Sequence, residues 1–253
     1  MCINVFSLGN HPKYRFILAA NRDEFYKRPS LPMGFHHPSG KILSGIDLEK
    51  GGTWLGLSTS GRFAMITNYR DPALIKPDAL SRGNLVMDYL AGEMEAEEYL
   101  RQISLAAKNY NGFNFILGNL DNNPKLWYFS NISDETVKIP EGINGISNAF
   151  LNTPWPKMLR FKQAMQTAIT GADISSQSLL KTLLDQQKAP ENELPQTGIP
   201  LELEKVISSI FIETPNYGTV CSTVILIQHD GKAEIAEYVH QPQKTESHFT
   251  LNL

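Results

Sequence analysis

The order of hydrophobic periods along the 253 residues predicts an α+β fold of two antiparallel sheets with segregated helix layers. Two observations carry this. Strand-like runs fill the first seventy residues, helical spacing follows, strands return, and the cycle of helices then strands repeats once. The links between successive strands are of hairpin length and rich in turn formers, which favours antiparallel neighbours. Hydrophobic content of 42% and charged content of 19% are ordinary for a globular chain, and no repeat or linker divides it, so one domain over 1–253 is expected.

Strands are expected at 2–8, 14–21, 41–44, 53–58 and 62–68, separated by Gly9-Asn10, Pro29 to Pro32, Gly51-Gly52 and Ser60-Gly61. Ser81 is placed to cap a helix with Leu85, Val86, Tyr89 and Leu90 on one side. A second helix, 95–108, carries Tyr99, Leu100, Ile103 and Ala107 on one stripe and acids in its first turn. Strands return at 113–120, 125–129, 136–139 and 143–147. Pro156 suits the first turn of a helix with Met158, Phe161, Met165 and Ile169 on one face. A further helix is expected at 175–186, a polar loop at 187–200, a short helix at 201–210, and strands at 218–228 and 233–240.

A formal charge of −3 gives no basic face for nucleic acid or anionic lipid. Cys2 and Cys221 do not make a disulfide framework. The first residues lack a basic region and an uninterrupted apolar core, so no signal peptide is expected. No run approaches the ~18 apolar residues that span a bilayer, and a cytoplasmic location is expected. His36-His37 point to opposite faces of a strand, and no HExxH or CxxC spacing occurs, so neither a metal nor another cofactor is expected.

Chemistry is expected first at Cys2, directly behind Met1. Removal of Met1 would give Cys2 a free α-amine beside its thiol, nucleophile and base on one residue. A thiol of pKa ~8.5 is mostly protonated at neutral pH, and an α-amine of pKa ~7.7–8.0 can accept its proton. The plain alternative is a small apolar residue in an opening strand. Asn21-Arg22-Asp23-Glu24 closes the next apolar run, and Asn21 and Asp23 share strand parity. Asp23 is expected to orient the amine, and Arg22 to stabilise the thiolate or hold a substrate anion. A solvated strand-end ion cluster is the other reading. Asn68 and Asn148 end strands where these open into loops. They are candidate oxyanion donors, each supplying on the order of 3 kcal/mol to a tetrahedral transition state, or else ordinary turn residues. Substrate contacts are expected from Asn21, Trp54, Tyr69 and Trp155, and the aromatic residues Trp54, Tyr69, Trp127 and Trp155 could line an apolar pocket. Gly51 to Gly56 lacks Gly-Lys-Ser/Thr and leads into a strand, so it reads as a tight turn.

Met1-Cys2, Leu18 to Tyr26, Arg28-Pro29, Gly51 to Gly56, Thr67-Asn68-Tyr69, Gly145 to Asn148, Leu151 to Lys157 and Tyr217-Gly218-Thr219 together resemble the NRDE family over nearly the whole chain. That family takes its name from the tetrapeptide and includes the eukaryotic transport-and-Golgi-organisation proteins. More distantly, the pattern is similar to N-terminal cysteine hydrolases of the bile-salt and penicillin acylase group. Their Arg-Asn-x-Asp signature matches Asn21 and Asp23, with the arginine displaced from the Ala20 slot to Arg22. The resemblance implies a four-layer αββα sandwich of Ntn-hydrolase type and places the two asparagines of that group at Asn68 and Asn148. It implies either an amidase or acyltransferase acting on a small acylated molecule, or a non-catalytic carrier of haem, acyl-CoA or lipid.

Overall fold

A computed structural model describes residues 2–171 and 174–253. Thirteen strands and five α-helices form two sheets, every strand pair antiparallel among the described residues. The first sheet holds β1 (Cys2–Leu8), β2 (Tyr14–Phe25), β10 (Gly142–Ile146), β11 (Tyr217–Gln228), β12 (Lys232–Val239) and β13 (Thr245–Asn252) in the order β10-β1-β2-β11-β12-β13. The second runs in sequence order: β3 (Ser30–Gly34), β4 (Ile42–Asp47), β5 (Leu55–Ser58), β6 (Arg62–Asn68), β7 (Phe113–Asn119), β8 (Lys125–Ser130) and β9 (Glu135–Lys138).

Strand alternation builds the layers. Phe6, Phe16 and Leu18 of the first sheet meet Leu57, Phe63 and Ile116 of the second in a dry core between the sheets. The intervening residues Ile3, Val5, Ile17 and Ala19 turn outward onto α3 (Pro156–Thr170) and α4 (Ser176–Leu183). On the far side, Ala64, Phe113 and Phe115 pack under α1 (Gly83–Ala91) and α2 (Ala96–Ala106). This is the αββα sandwich, with α5 (Leu201–Val206) tied through Glu204 to Arg70 beyond β6. Pro156 occupies the first turn of α3, and Ser175 caps α4 through a box with Ser178. Phe161 is fully buried in the α3 layer. Phe161→Ala is expected to cost about 3–5 kcal/mol of stability, read as a lowered denaturant midpoint.

Several boundaries differ from expectation for identifiable reasons. Pro29 to Pro32, read as a turn, contains the start of β3, an edge strand paired only to β4 and carrying a register shift. An edge tolerates Pro32 because its missing N–H faces no partner. β13 was not expected; it is polar on its exposed face and sends Phe249 and Leu251 onto the core between the sheets. α1 begins at Gly83 with Arg82 before it, so Ser81 does not cap it. The last helix stops at Val206, short of 210. β2 runs on through Asp23 to Phe25, which carries both acids into the sheet.

Candidate active site

β1 lies between β10 and β2, so Cys2 ends an interior strand rather than an edge. Cys2 pairs with Arg22, and Arg22 with Cys221, which directs these three side chains to the face between the sheets. Asn21 and Asp23 point the other way, toward the α3 and α4 layer, as their shared parity requires. Beyond Cys2 the two sheets part into a cleft of about 270 Å³, lined among others by Cys2, Arg22, Asp23, Trp54, Asn68 and Arg82. One wall forms where Thr53 N–H donates to the Gly83 carbonyl at 3.1 Å. Gly52 is required there: its φ is +74°, and an added Cβ would lie 2.2 Å from the Gly83 carbonyl carbon.

Arg22 is 5% exposed and lies 4.2 Å over the Trp54 ring, with Ser30 Oγ at 3.4 Å and Asp47 at 4.0 Å. Arg28 holds Asp47 more closely, at 2.8 Å, and reaches Glu24 at 3.9 Å. Asp23 is 1% exposed and accepts a hydrogen bond from Thr219 Oγ1 at 2.7 Å. Burial pushes its carboxyl above the usual range, against the pull of Lys157 and the Thr219 hydrogen bond. The half-buried Cys2 thiol is also pushed up, by desolvation and then the Asp23 charge, with Arg22 opposing. Whether Met1 remains attached lies outside the described residues.

The two asparagines sit together but are bonded differently. Asn148 is almost fully buried; its Nδ2 donates to the Asn68 carbonyl at 2.9 Å, and its own carbonyl accepts from Arg70 N–H at 2.8 Å. Thr67 Oγ1 donates to the Ser147 carbonyl and Ser147 Oγ to the Cys2 carbonyl, stitching β6 across to β1 and β10. The Asn68 side chain faces the cleft and has no hydrogen bond among the described residues; Asn148 stands behind it, outside the cleft lining.

Trp54 is the one expected substrate contact in the cleft. Asn21 has its amide committed to the Leu183 and Ile210 carbonyls and to Ser222 Oγ, fastening β2 to the helix layer. Tyr69 stacks on Phe150 beside an adjoining hollow, Trp155 lies under buried charges next to α3, and Trp127 packs by α2. Among the described residues no group of three His, Cys, Asp or Glu side chains could hold a metal.

Arg28, Asp47 and Arg82 in the cleft, and Arg70, Lys157, Glu204 and Tyr217 behind it, were not anticipated as site residues. Lys157 did carry a signal: it stands four residues before Phe161 and eight before Met165, inside the buried stripe of α3. Burial, then the neighbouring Arg70, pushes its pKa down to about 8 from 10.5. The unfolded chain therefore binds more protons between about 8 and 10.5, and stability at this site rises with pH across that window. Lys157→Arg stays charged, so thermal midpoints of the two chains compared at low and high ends of the window should diverge in favour of wild type.

A family model, "Transport and Golgi organisation 2", matches residues 1–242. The chain belongs to that family. Transport and Golgi organization protein 2 homolog of Bos taurus is 37% identical over 94% of this chain and 92% of its own length. The Drosophila melanogaster protein of the family is 28% identical over 94% and 91%. Among solved structures, a mutant conjugated bile acid hydrolase from Clostridium perfringens superposes with a TM-score of 0.53 at 9% identity, covering 100% of this chain and 93% of that one. A second variant of that hydrolase gives 0.51 at 9% identity over 100% and 97%. The chain thus has an Ntn-hydrolase-like fold, and none of its described helices is long and apolar enough to cross a membrane.

Proposed function

We propose that the chain is an N-terminal-nucleophile cysteine hydrolase or acyltransferase, acting on the C–N amide or thioester bond of a small acylated molecule. The observation that carries this reading is the meeting of Cys2, Arg22 and Asn68 in one cleft, with Asp23 at the end of the strand beside Cys2. With Met1 removed, the Cys2 amine takes the thiol proton as Sγ attacks the carbonyl carbon. Asn68 donates to the oxyanion, Asn148 holds Asn68 in place, and the amine returns the proton to the leaving nitrogen as the C–N bond breaks. Water or a second acceptor then attacks the acyl thioester, giving up its proton to the amine and releasing Sγ. The fold shared with a bile acid hydrolase supports this use of the first strand, at an identity that speaks for architecture alone.

A second reading, a non-catalytic carrier of haem, acyl-CoA or lipid, draws on the upward push on the Cys2 thiol. The experiment that separates them is a survey of N-acyl amides and acyl thioesters with the full chain lacking Met1. Turnover abolished by Cys2→Ala supports the hydrolase. Saturable haem or acyl-CoA binding that survives Cys2→Ala, without turnover of any substrate, would leave the carrier.

A further inference from the structure

Four cations line the Cys2 cleft, and they are not equally satisfied. Arg22 lies over Trp54 with Asp47 at 4.0 Å. Arg28 is shared among Asp47 at 2.8 Å, Glu49 at 3.7 Å and Glu24 at 3.9 Å. Lys50 is exposed to solvent. Arg82 differs from all three. It is only part exposed, and its Nη1 donates to the neutral main-chain carbonyl of Gly112 at 2.9 Å. Among the described residues that is its one side-chain hydrogen bond, and no carboxylate oxygen comes as close to it as the 4.0 Å between Arg22 and Asp47.

The position of Arg82 is fixed by its main chain. Its carbonyl accepts from Leu85 N–H at 3.1 Å, and the next carbonyl, that of Gly83, accepts from Thr53 N–H at 3.1 Å. The guanidinium stands where the cleft meets the adjoining hollow beside Tyr69. Asp71, the carboxylate of that hollow, is turned to Ala73 N–H at 3.0 Å. Burial, then the like charge of Arg28, work against the charged form of Arg82. A guanidinium nevertheless keeps its proton at neutral pH, so losing the charge does not relieve that cost. An oxyanion entering the cleft would relieve it, and the planar fork can take two oxygens at once.

We propose that Arg82 is a specificity-determining residue that binds an oxyanion, a carboxylate or a phosphate, carried by the acylated substrate. This rests on the Cys2 cleft being the substrate site. Arg22, the arginine expected to hold such an anion, stacks on Trp54 instead. Neutral acyl compounds of the same size are then poor ligands.

The test titrates octanoate, octyl phosphate and neutral octanamide into the full chain by calorimetry. Wild type is expected to bind at least one of the two anions about tenfold or more tightly than octanamide. Arg82→Gln should weaken that anion about tenfold and leave octanamide unchanged. Arg82→Lys, which keeps the charge without the fork, should fall between. The tighter anion identifies the recognised group as phosphate or carboxylate. Octanamide binding as tightly as both anions in wild type overturns the proposal, and so does binding of neither anion. Those two results need no variant, so they hold even if Arg82→Gln does not fold. Anion affinity unmoved in a folded Arg82→Gln chain also overturns it. Arg82-dependent anion binding in a chain that turns over no substrate would sink the hydrolase reading and leave this inference. Turnover that fails to distinguish anionic from neutral acyl amides would sink this inference alone.

Discussion

Replacing Cys2 with Ala is expected to lower turnover by about a thousandfold or more while the protein stays folded. The loss is chemical because Cys2 contributes little packing: it is half-buried at the end of β1, and the core of that strand begins at Ile3. Its main-chain carbonyl, which holds Ser147, is kept in the variant. Cys2→Ser tests the thiol itself, since it retains the proposed amine and a hydroxyl in the same place, and it should lose nearly as much. Substrate affinity measured on Cys2→Ala should remain close to wild type, because Arg22, Trp54 and Asn68 still line the cleft. Turnover by Cys2→Ala within tenfold of wild type would remove Cys2 from the mechanism.

Asp23→Asn is expected to reduce turnover about a hundredfold. Asn is the same size, and its carbonyl can still accept from Thr219 Oγ1, so the strand register should hold. What disappears is the negative charge that would hold the amine. The same substitution should speed alkylation of Cys2 at neutral pH, because the Asp23 charge pushes the thiol up and its removal lets the thiol fall. Turnover and labelling therefore change in opposite directions, which a merely loosened structure would not produce. Parallel losses in both would assign Asp23 to packing.

The sandwich was legible because its information is local. Period-two alternation in β1, β2 and β6 and the stripes of α3 and α4 each stand in a short window, and they agree on which faces are buried. The pairing of Cys2 with Arg22 needs only a hairpin, so the nearness of Cys2 and Asp23 could be expected from residues twenty apart. The identities of Asn68 and Asn148 were visible, but their hydrogen bond crosses from one sheet to the other, and no window contains it. Asn21 shows the limit of parity. Its side was foreseen, yet its partners Leu183 and Ile210 stand 162 and 189 residues away, and they decide that it fastens layers outside the cleft. The Arg70–Glu204 pair spans 134 residues and had no local trace, whereas Lys157 broke an apolar stripe and could have been noticed. β3 and β13 escaped because edge strands bury too little to show a strong alternation.

The central claim is that a chain beginning at Cys2 takes the acyl group onto its own first sulfur. Intact mass of the catalytically active protein, acid-quenched during turnover and then mapped by peptide, tests it most directly. The account predicts a species lacking Met1 that carries the acyl mass on Cys2. An active chain that retains Met1, or an acyl group found on any other residue, would contradict it.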